Sequence, residues 1–508
     1  MKCKGILVST VVLVTVTLSA APGRTQEGAP DNGAASVSPE PRLYKTHHTV
    51  ETPKGTIAYS AVVGETFVRD DKDEPEASIV TISYFQEGVE ASNRPLTFLF
   101  NGGPGSTAVW LHLGAFGPRR IDFSDNPLQP GPPPYRLQPN PYTLLPYTDL
   151  VFVDPIGTGF SRALRDHEDS DFWGVDEDGA VLARFIRNFL TEQARWESPK
   201  YLAGESYGTI RAAILVRDLQ LDLLDAVALN GVILISAALD TRIFMSGQPG
   251  NELNYVTNLP TYAATAYYHD KLVSQTDDLE VFLEQARTFA SSEYLEALFA
   301  GDSLSADETD RIAAELARYS GLDTDYIRRA NLRVSTQRYL KELLRDRSQV
   351  IGIHDTRFTG VDPDDAGETV AFDPFLTSTA GPFVAAINAY LQSDLGVEAW
   401  KPYEVFNLAI PTSWKEGANQ QHAFAGPLHT TQYQTKAAAV NSGFRVFSAA
   451  GYHDLTTTFF GVEYIFDHSG IEKERITLRN YYGGHMMYLH DPSLEALSAD
   501  IGTFIEQQ

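Results

Sequence analysis

Gly204-Glu205-Ser206-Tyr207-Gly208 constrains this chain more than any other stretch. It follows a short strand-like run, Lys200 to Ala203, and precedes a helical pattern over Thr209 to Leu219. In that setting G-x-S-x-G describes a sharp strand-to-helix turn that lifts a serine hydroxyl above a sheet. Glycines flank the serine because the turn crowds the backbone and a β-carbon would clash. A chain of this size yields roughly 0.2 such pentapeptides by chance, so the flanking elements carry as much weight as the pattern. The plain alternative is an ordinary turn between a strand and a helix.

The wider pattern suits a sheet covered by helices. Thr56 to Val63, Ala77 to Phe85, Leu96 to Phe100 and Asp149 to Val153 are β-branched or aromatic runs bounded by turn residues. Asp176 to Trp196 has helical periodicity, with Asp176 as its expected cap, and Gly231 to Ile235 is a further buried strand. Strand and helix alternate as in a doubly wound, mostly parallel α/β sheet. From Thr241 to about Trp400 strand signals are scarce, and Val281 to Ala300, Ala306 to Tyr319 and Tyr326 to Arg345 are helical in pattern. Residues 241–400 therefore read as a mainly helical cap inserted into a core made of residues 43–240 and 401–508. Sheet-like runs return at Arg445 to Ser448 and Arg475 to Leu478. The aromatic-rich Tyr255 to Tyr268 either covers a substrate pocket or packs the interior of the cap. Pro127 to Pro146 reads as a loop, and the acidic runs Asp70 to Glu76 and Asp362 to Glu368 as solvated loops. The second acidic run fails the spacing of a calcium loop.

Lys2 and Lys4 precede an apolar run from Ile6 to Leu18 and the small residues Ser19, Ala20 and Ala21. That order describes a cleaved export signal over residues 1–21, and the run is short against the ~20 residues needed to span a bilayer. Residues 22–42, rich in Gly, Ala, Ser and Pro, read as a flexible arm. The expected location is periplasmic or extracellular, with no membrane insertion once the signal is removed. A formal charge of -26 argues against a nucleic-acid partner, because phosphate backbones bind basic surfaces. Cys3 is the one cysteine, so no disulfide within the chain can form.

A serine hydroxyl is a weak nucleophile unless a histidine takes its proton and an acid orients that histidine. On a fold with this turn the chain order is serine, acid, histidine. His485 follows the strand at Arg475 to Leu478 in a glycine-rich turn, and His490 is its nearest rival. Asp454 follows the strand at Arg445 to Ser448 and fits the acid better than Asp240, whose plain role is a cap. Its neighbour His453 is left aside. Hydrolysis also needs hydrogen-bond donors for the developing oxyanion. The Tyr207 amide, next after the serine, and the Gly103 amide in Asn101-Gly102-Gly103-Pro104-Gly105 fit that need.

At these residues the chain resembles the serine carboxypeptidase family, the group that includes carboxypeptidase Y and cathepsin A. The resemblance rests on NGGPGS at Asn101 to Ser106, DPIGTGFS at Asp154 to Ser161, GESYG at Gly204 to Gly208, GYHDLTTTF around Asp454 and GGHMM around His485. It implies an α/β-hydrolase fold with a cap, no cofactor and no metal. It implies removal of one C-terminal residue from peptides through an acyl-enzyme on Ser206, with His485 as base and Asp454 orienting it. It further implies that Asn101 and Glu205 bind the free carboxylate of the substrate, Glu205 as a carboxyl that keeps its proton to unusually high pH. The family usually has a second glutamate shortly before Gly-Pro in the first segment, where this chain has Ala115, so a residue elsewhere completes the pair or Asn101 and Glu205 act alone. The cysteine that commonly follows NGGPG is Ser106. Loss of residues 1–21 removes Lys2, Cys3 and Lys4 and no acid, which takes the charge from -26 to -28 and leaves no cysteine. Relatives in eukaryotic secretory compartments carry several disulfides, so a cysteine-free chain points to a bacterial envelope or exterior. An esterase or acyltransferase on the same residues, and a non-catalytic binding protein on the same scaffold, are the other readings.

Overall fold

The computed structural model describes residues 40–507 except 124–127, 129, 245–249, 273–277 and 417–427. The expected signal at 1–21 and all but the last residues of the expected arm at 22–42 lie outside the described residues.

Alternating burial along the strands builds one sheet with two cores. An antiparallel start, β1 (Leu43–Thr52), β2 (Gly55–Arg69) and β3 (Pro75–Gln86), pairs through β3 with a run of parallel strands. These are β4 (Leu96–Phe100), β7 (Asp149–Asp154), β9 (Lys200–Glu205), β10 (Gly231–Ile235), β13 (Arg445–Gly451) and β14 (Ile476–Tyr481), in the spatial order β1-β2-β3-β7-β4-β9-β10-β13-β14. A short β8 (Arg162–Ala163) pairs with β3, and two small hairpins are formed by β5 (Arg119–Ile121) with β6 (Leu137–Pro139) and by β11 (Gln349–Ile351) with β12 (Thr359–Val361). Successive side chains of a strand point to opposite faces. Thus Phe98 and Phe100 enter one core with α1 (Val175–Glu192), α2 (Tyr207–Leu215) and the insertion helices, while Leu99 enters the other with the C-terminal helix Asp491–Glu506. An antiparallel start, a parallel body flanked by helices and a strained strand-to-helix turn after β9 make this an α/β-hydrolase fold with a mixed, mainly parallel sheet.

Several expectations change at the level of elements. The helix α1 is capped at Gly174 and not at Asp176, two residues earlier than expected, where Val175 N–H donates to Lys415 O at 2.9 Å and ties the start of the helix to that segment. Asp176 instead accepts from Arg217 at 2.6 Å. The proline-rich loop contains β6, whose Leu137–Pro139 pairs with Arg119–Ile121. Asp362 is not a solvated loop residue: its side chain is 3% exposed and forms an ion pair with Lys341, itself 1% exposed. Between β10 and β13 the helices Leu253–Tyr268, Leu279–Phe289 and Ala306–Ser320 share the first core. The helix Pro374–Ser393, inside the stretch expected to form the cap, packs through Phe383, Ile387 and Tyr390 into the second core beside Tyr84 and Phe152. In the aromatic stretch Tyr255 and Tyr262 are buried and Tyr262 stacks on Tyr339 at 3.7 Å, so these two pack the interior of the insertion. Among the described residues no helix is long and apolar enough to cross a membrane.

Candidate functional site

Every chemically distinctive motif of the sequence falls at the C-terminal edge of a parallel strand. Asn101 follows β4, Asp154 ends β7, Ser206 follows β9, Asp454 lies past β13 and His485 past β14. Ligands of open α/β sheets bind at that edge, outside the carboxyl ends of the strands.

Ser206 has φ 59° and ψ -127°, a left-handed conformation that L side chains rarely adopt. The surrounding packing enforces it. A β-carbon on Gly204 would lie 2.1 Å from Gly208 O, and one on Gly102 would lie 2.5 Å from the Tyr207 nitrogen. The β4 loop thus abuts the amide that follows the serine. Gly103 is exposed there, and among the described residues neither its N–H nor that of Tyr207 is used in a turn or loop hydrogen bond. The loop that carries Gly103 therefore lies beside the half-buried Ser206 and the Tyr207 amide, and both amides are left able to donate, as an oxyanion requires. Arg211 on α2 steadies the loop by donating to Asn101 O at 2.6 Å while pairing with buried Asp178 on α1.

His485 and Asp454 meet as expected. His485 Nδ1 lies 2.7 Å from Asp454 Oδ2, which leaves Nε2 as the ring's acceptor. Asp454 is fully buried and held by N–H groups of Thr456 at 2.7 Å and Thr457 at 3.1 Å and by the Thr457 hydroxyl at 2.7 Å. Burial alone would lower the His485 pKa, but the charge and hydrogen bond of Asp454, with Glu205 and Asp373, outweigh it and raise it above the usual imidazole value. Among the described residues no hydrogen bond joins Ser206 Oγ to His485; in unliganded sites such bonds often form only when substrate is bound. Asp240 is engaged elsewhere, with Arg242 and with His429 at 3.1 Å. His490 binds Ser493 Oγ at 2.8 Å at the start of the C-terminal helix, and buried His453 packs between the rings of Tyr268 and Tyr482.

Asn101 and Glu205 are also brought together: Asn101 Nδ2 donates to Glu205 Oε2 at 2.7 Å. Tyr488, which sequence reasoning missed, donates its phenol O–H to the same oxygen at 2.8 Å. Burial pushes Glu205 up to about 7, against the lowering effects of His485, Tyr488 and Asn101. Ala115 is buried in a π-turn, Leu111–Phe116, and carries no side chain that could reach Glu205.

Two segments missed in the sequence enclose the site. Residues 351–358 of the insertion stitch together the loops that carry Asp454 and His485. Leu455 N–H donates to Ile353 O at 3.0 Å, Thr356 N–H to His453 O at 2.9 Å, His485 N–H to His354 O at 2.6 Å and Gly484 N–H to Asp355 Oδ2 at 3.1 Å. The His354 ring stands edge-on to His485 at 5.3 Å and binds Asp373 at 2.5 Å. Residues 403–416 run over the glycine loops through bridges of Glu404 to Gly159, Phe406 to Ser106 and Lys415 to Gly174, and Trp414 packs edge-on to Tyr207. Neither segment has a sequence signature, because each acts mainly through backbone contacts. Among the described residues no cluster of three or more metal-ligating side chains is present.

Residues 83–299, 217 of the 508 residues, match the family model described as serine carboxypeptidase. The match takes in Asn101, Glu205 and Ser206 but ends before Asp454 and His485. Serine carboxypeptidase-like 36 of Arabidopsis thaliana is 30% identical over 130 residues, which is 24% of this chain and 24% of that protein, so the chain spans about a quarter of the relative it matches. Among solved structures, an epoxide hydrolase of Aspergillus niger is 14% identical with a TM-score of 0.36, covering 88% of this chain and 78% of that one. An acetylester hydrolase of Corynebacterium glutamicum is 11% identical with a TM-score of 0.34, covering 92% of this chain and 96% of that one. Likenesses this loose say nothing of substrate.

Proposed function

We propose that the chain is a serine carboxypeptidase that removes one residue from the C-terminus of peptides. Ser206 Oγ attacks the last peptide carbonyl as His485 Nε2 takes its proton, and the amides of Gly103 and Tyr207 receive the oxyanion. His485 then gives that proton to the departing amine, and water releases the acyl group by the same steps in reverse order. Asp454 holds the imidazole in the required tautomer. The observation that carries the reading, over esterase or acyltransferase chemistry, is the buried Glu205 carboxyl held by Asn101 next to the serine. A carboxyl that stays protonated near neutral pH can donate to a substrate carboxylate, a group that simple esters lack. The sequence features of residues 1–21 support export to a periplasmic or extracellular space, with peptides bearing free C-termini as partners.

The test pairs one peptide as free acid and as C-terminal amide, followed by mass spectrometry at pH 5 to 8. Loss of a single residue from the acid, slow or absent loss from the amide, and no loss with Ser206→Ala are expected. Cleavage of a C-terminal ester while the matching peptide acid stays intact overturns the peptidase reading in favour of the esterase.

A further inference from the structure

The chain lacks a second carboxyl at Ala115, yet Glu205 is not left with Asn101 alone. Tyr488 arrives from the far end of the chain, three residues after His485, and its fully buried ring lies against the π-turn that carries Ala115. A β-carbon on Gly114 would lie 2.8 Å from Tyr488 Cε2, so a side chain at 114 would collide with this ring. Its O–H and the Asn101 Nδ2 both donate to Glu205 Oε2, at 2.8 and 2.7 Å. An oxygen that accepts two hydrogen bonds is a poor place for the acidic proton, which then belongs on Oε1. Among the described residues Oε1 has no hydrogen-bond partner, so it is the carboxyl oxygen left to meet a ligand.

We propose that Tyr488 is a positioning residue of the carboxylate site: with Asn101 it occupies Glu205 Oε2 and keeps the carboxyl proton on Oε1, which donates it in a hydrogen bond to the terminal carboxylate of a peptide. This rests on the carboxypeptidase reading. The charged or titratable groups that act on Glu205 are Tyr488 itself, His485 and Asp454. Tyr488 and His485 favour the ionised carboxyl and Asp454 opposes it, so loss of the phenol hydroxyl lets Glu205 hold its proton to higher pH. A tyrosine that only fills space would leave that titration in place.

The experiment measures kcat and KM for one peptide as free acid and as C-terminal ester, from pH 5 to 8.5, for the wild type and Tyr488→Phe. Labelling of Ser206 with a fluorophosphonate confirms that the variant retains its folded site. The ratio of kcat/KM on acid to that on ester should fall about tenfold in the variant, through KM, at pH 5.5. The alkaline limb of 1/KM for the acid should move to higher pH. Equal losses on acid and ester with an unmoved limb, or loss of labelling in Tyr488→Phe that a Tyr488→Leu variant shares, overturn the proposal and leave a packing role. A wild type that does not prefer acid over ester overturns the carboxypeptidase reading itself, a distinct outcome visible before any variant is made.

Discussion

Glu205→Gln isolates the energetic consequence of burying a carboxyl beside Ser206. Burial raises this group from an ordinary 4.5 to about 7. Between those values the folded chain keeps a proton that the unfolded chain has released, so stability falls as pH rises through the window. At about 1.4 kcal/mol per pH unit the loss amounts to about 3 kcal/mol by pH 7, absent below pH 4.5 and complete above 7. Glutamine keeps the shape and an N–H donor but does not ionise. The stability of Glu205→Gln minus that of the wild type should therefore be flat below pH 4.5, rise by about 3 kcal/mol to pH 7 and level off. Urea titrations followed by circular dichroism at half-unit intervals read this difference directly, since all other titrating groups are common to both chains. A stability difference constant within about 1 kcal/mol across the range refutes the claim that Glu205 is folded in its neutral form.

Three further outcomes follow from the same geometry. Asp454→Asn, which frees the wrong imidazole tautomer, should lower kcat by roughly three to four orders of magnitude in steady-state assays with little change in melting temperature. Gly204→Ala places a methyl 2.1 Å from Gly208 O, and the forced shift of the turn should cost at least about a hundredfold in kcat/KM and about 1–3 kcal/mol in unfolding titrations. Asp362→Ala leaves the Lys341 ammonium buried without its counter-charge and should lower stability by about 3–5 kcal/mol, with Lys341→Met added to Asp362→Ala restoring much of it.

The parts legible in the sequence are those that backbone chemistry makes local. GESYG specifies its own turn because glycine is needed where another backbone passes, and Asp454 and His485 stand one loop beyond strands whose apolar runs mark them. The Asn101–Glu205 pair came through the resemblance and meets in space at 2.7 Å. Tyr488 was not legible: a tyrosine near the C-terminus carries no sign that it reaches a glutamate 283 residues earlier. The same holds for His354, whose hydrogen bond with His485 runs through a carbonyl that any residue supplies. Asp362 reads as one acid among several, and its burial depends on Lys341 arriving from a separate helix. Likewise the helix Pro374–Ser393 has apolar residues in plenty, but which side of the sheet they cover is settled by chain topology and not by periodicity.

The stitch at residues 351–358 bears on how such a chain can diverge. Its three backbone ties to the loops after β13 and β14, with a fourth through the Asp355 carboxylate, make the insertion a splint for the two loops that present Asp454 and His485. An insertion resting loosely on a sheet can be traded for another to change specificity, as modular parts are. This one cannot be exchanged as a block without setting His485 adrift, so changes that spare it are confined to the splint's outer side or to the strap at 403–416.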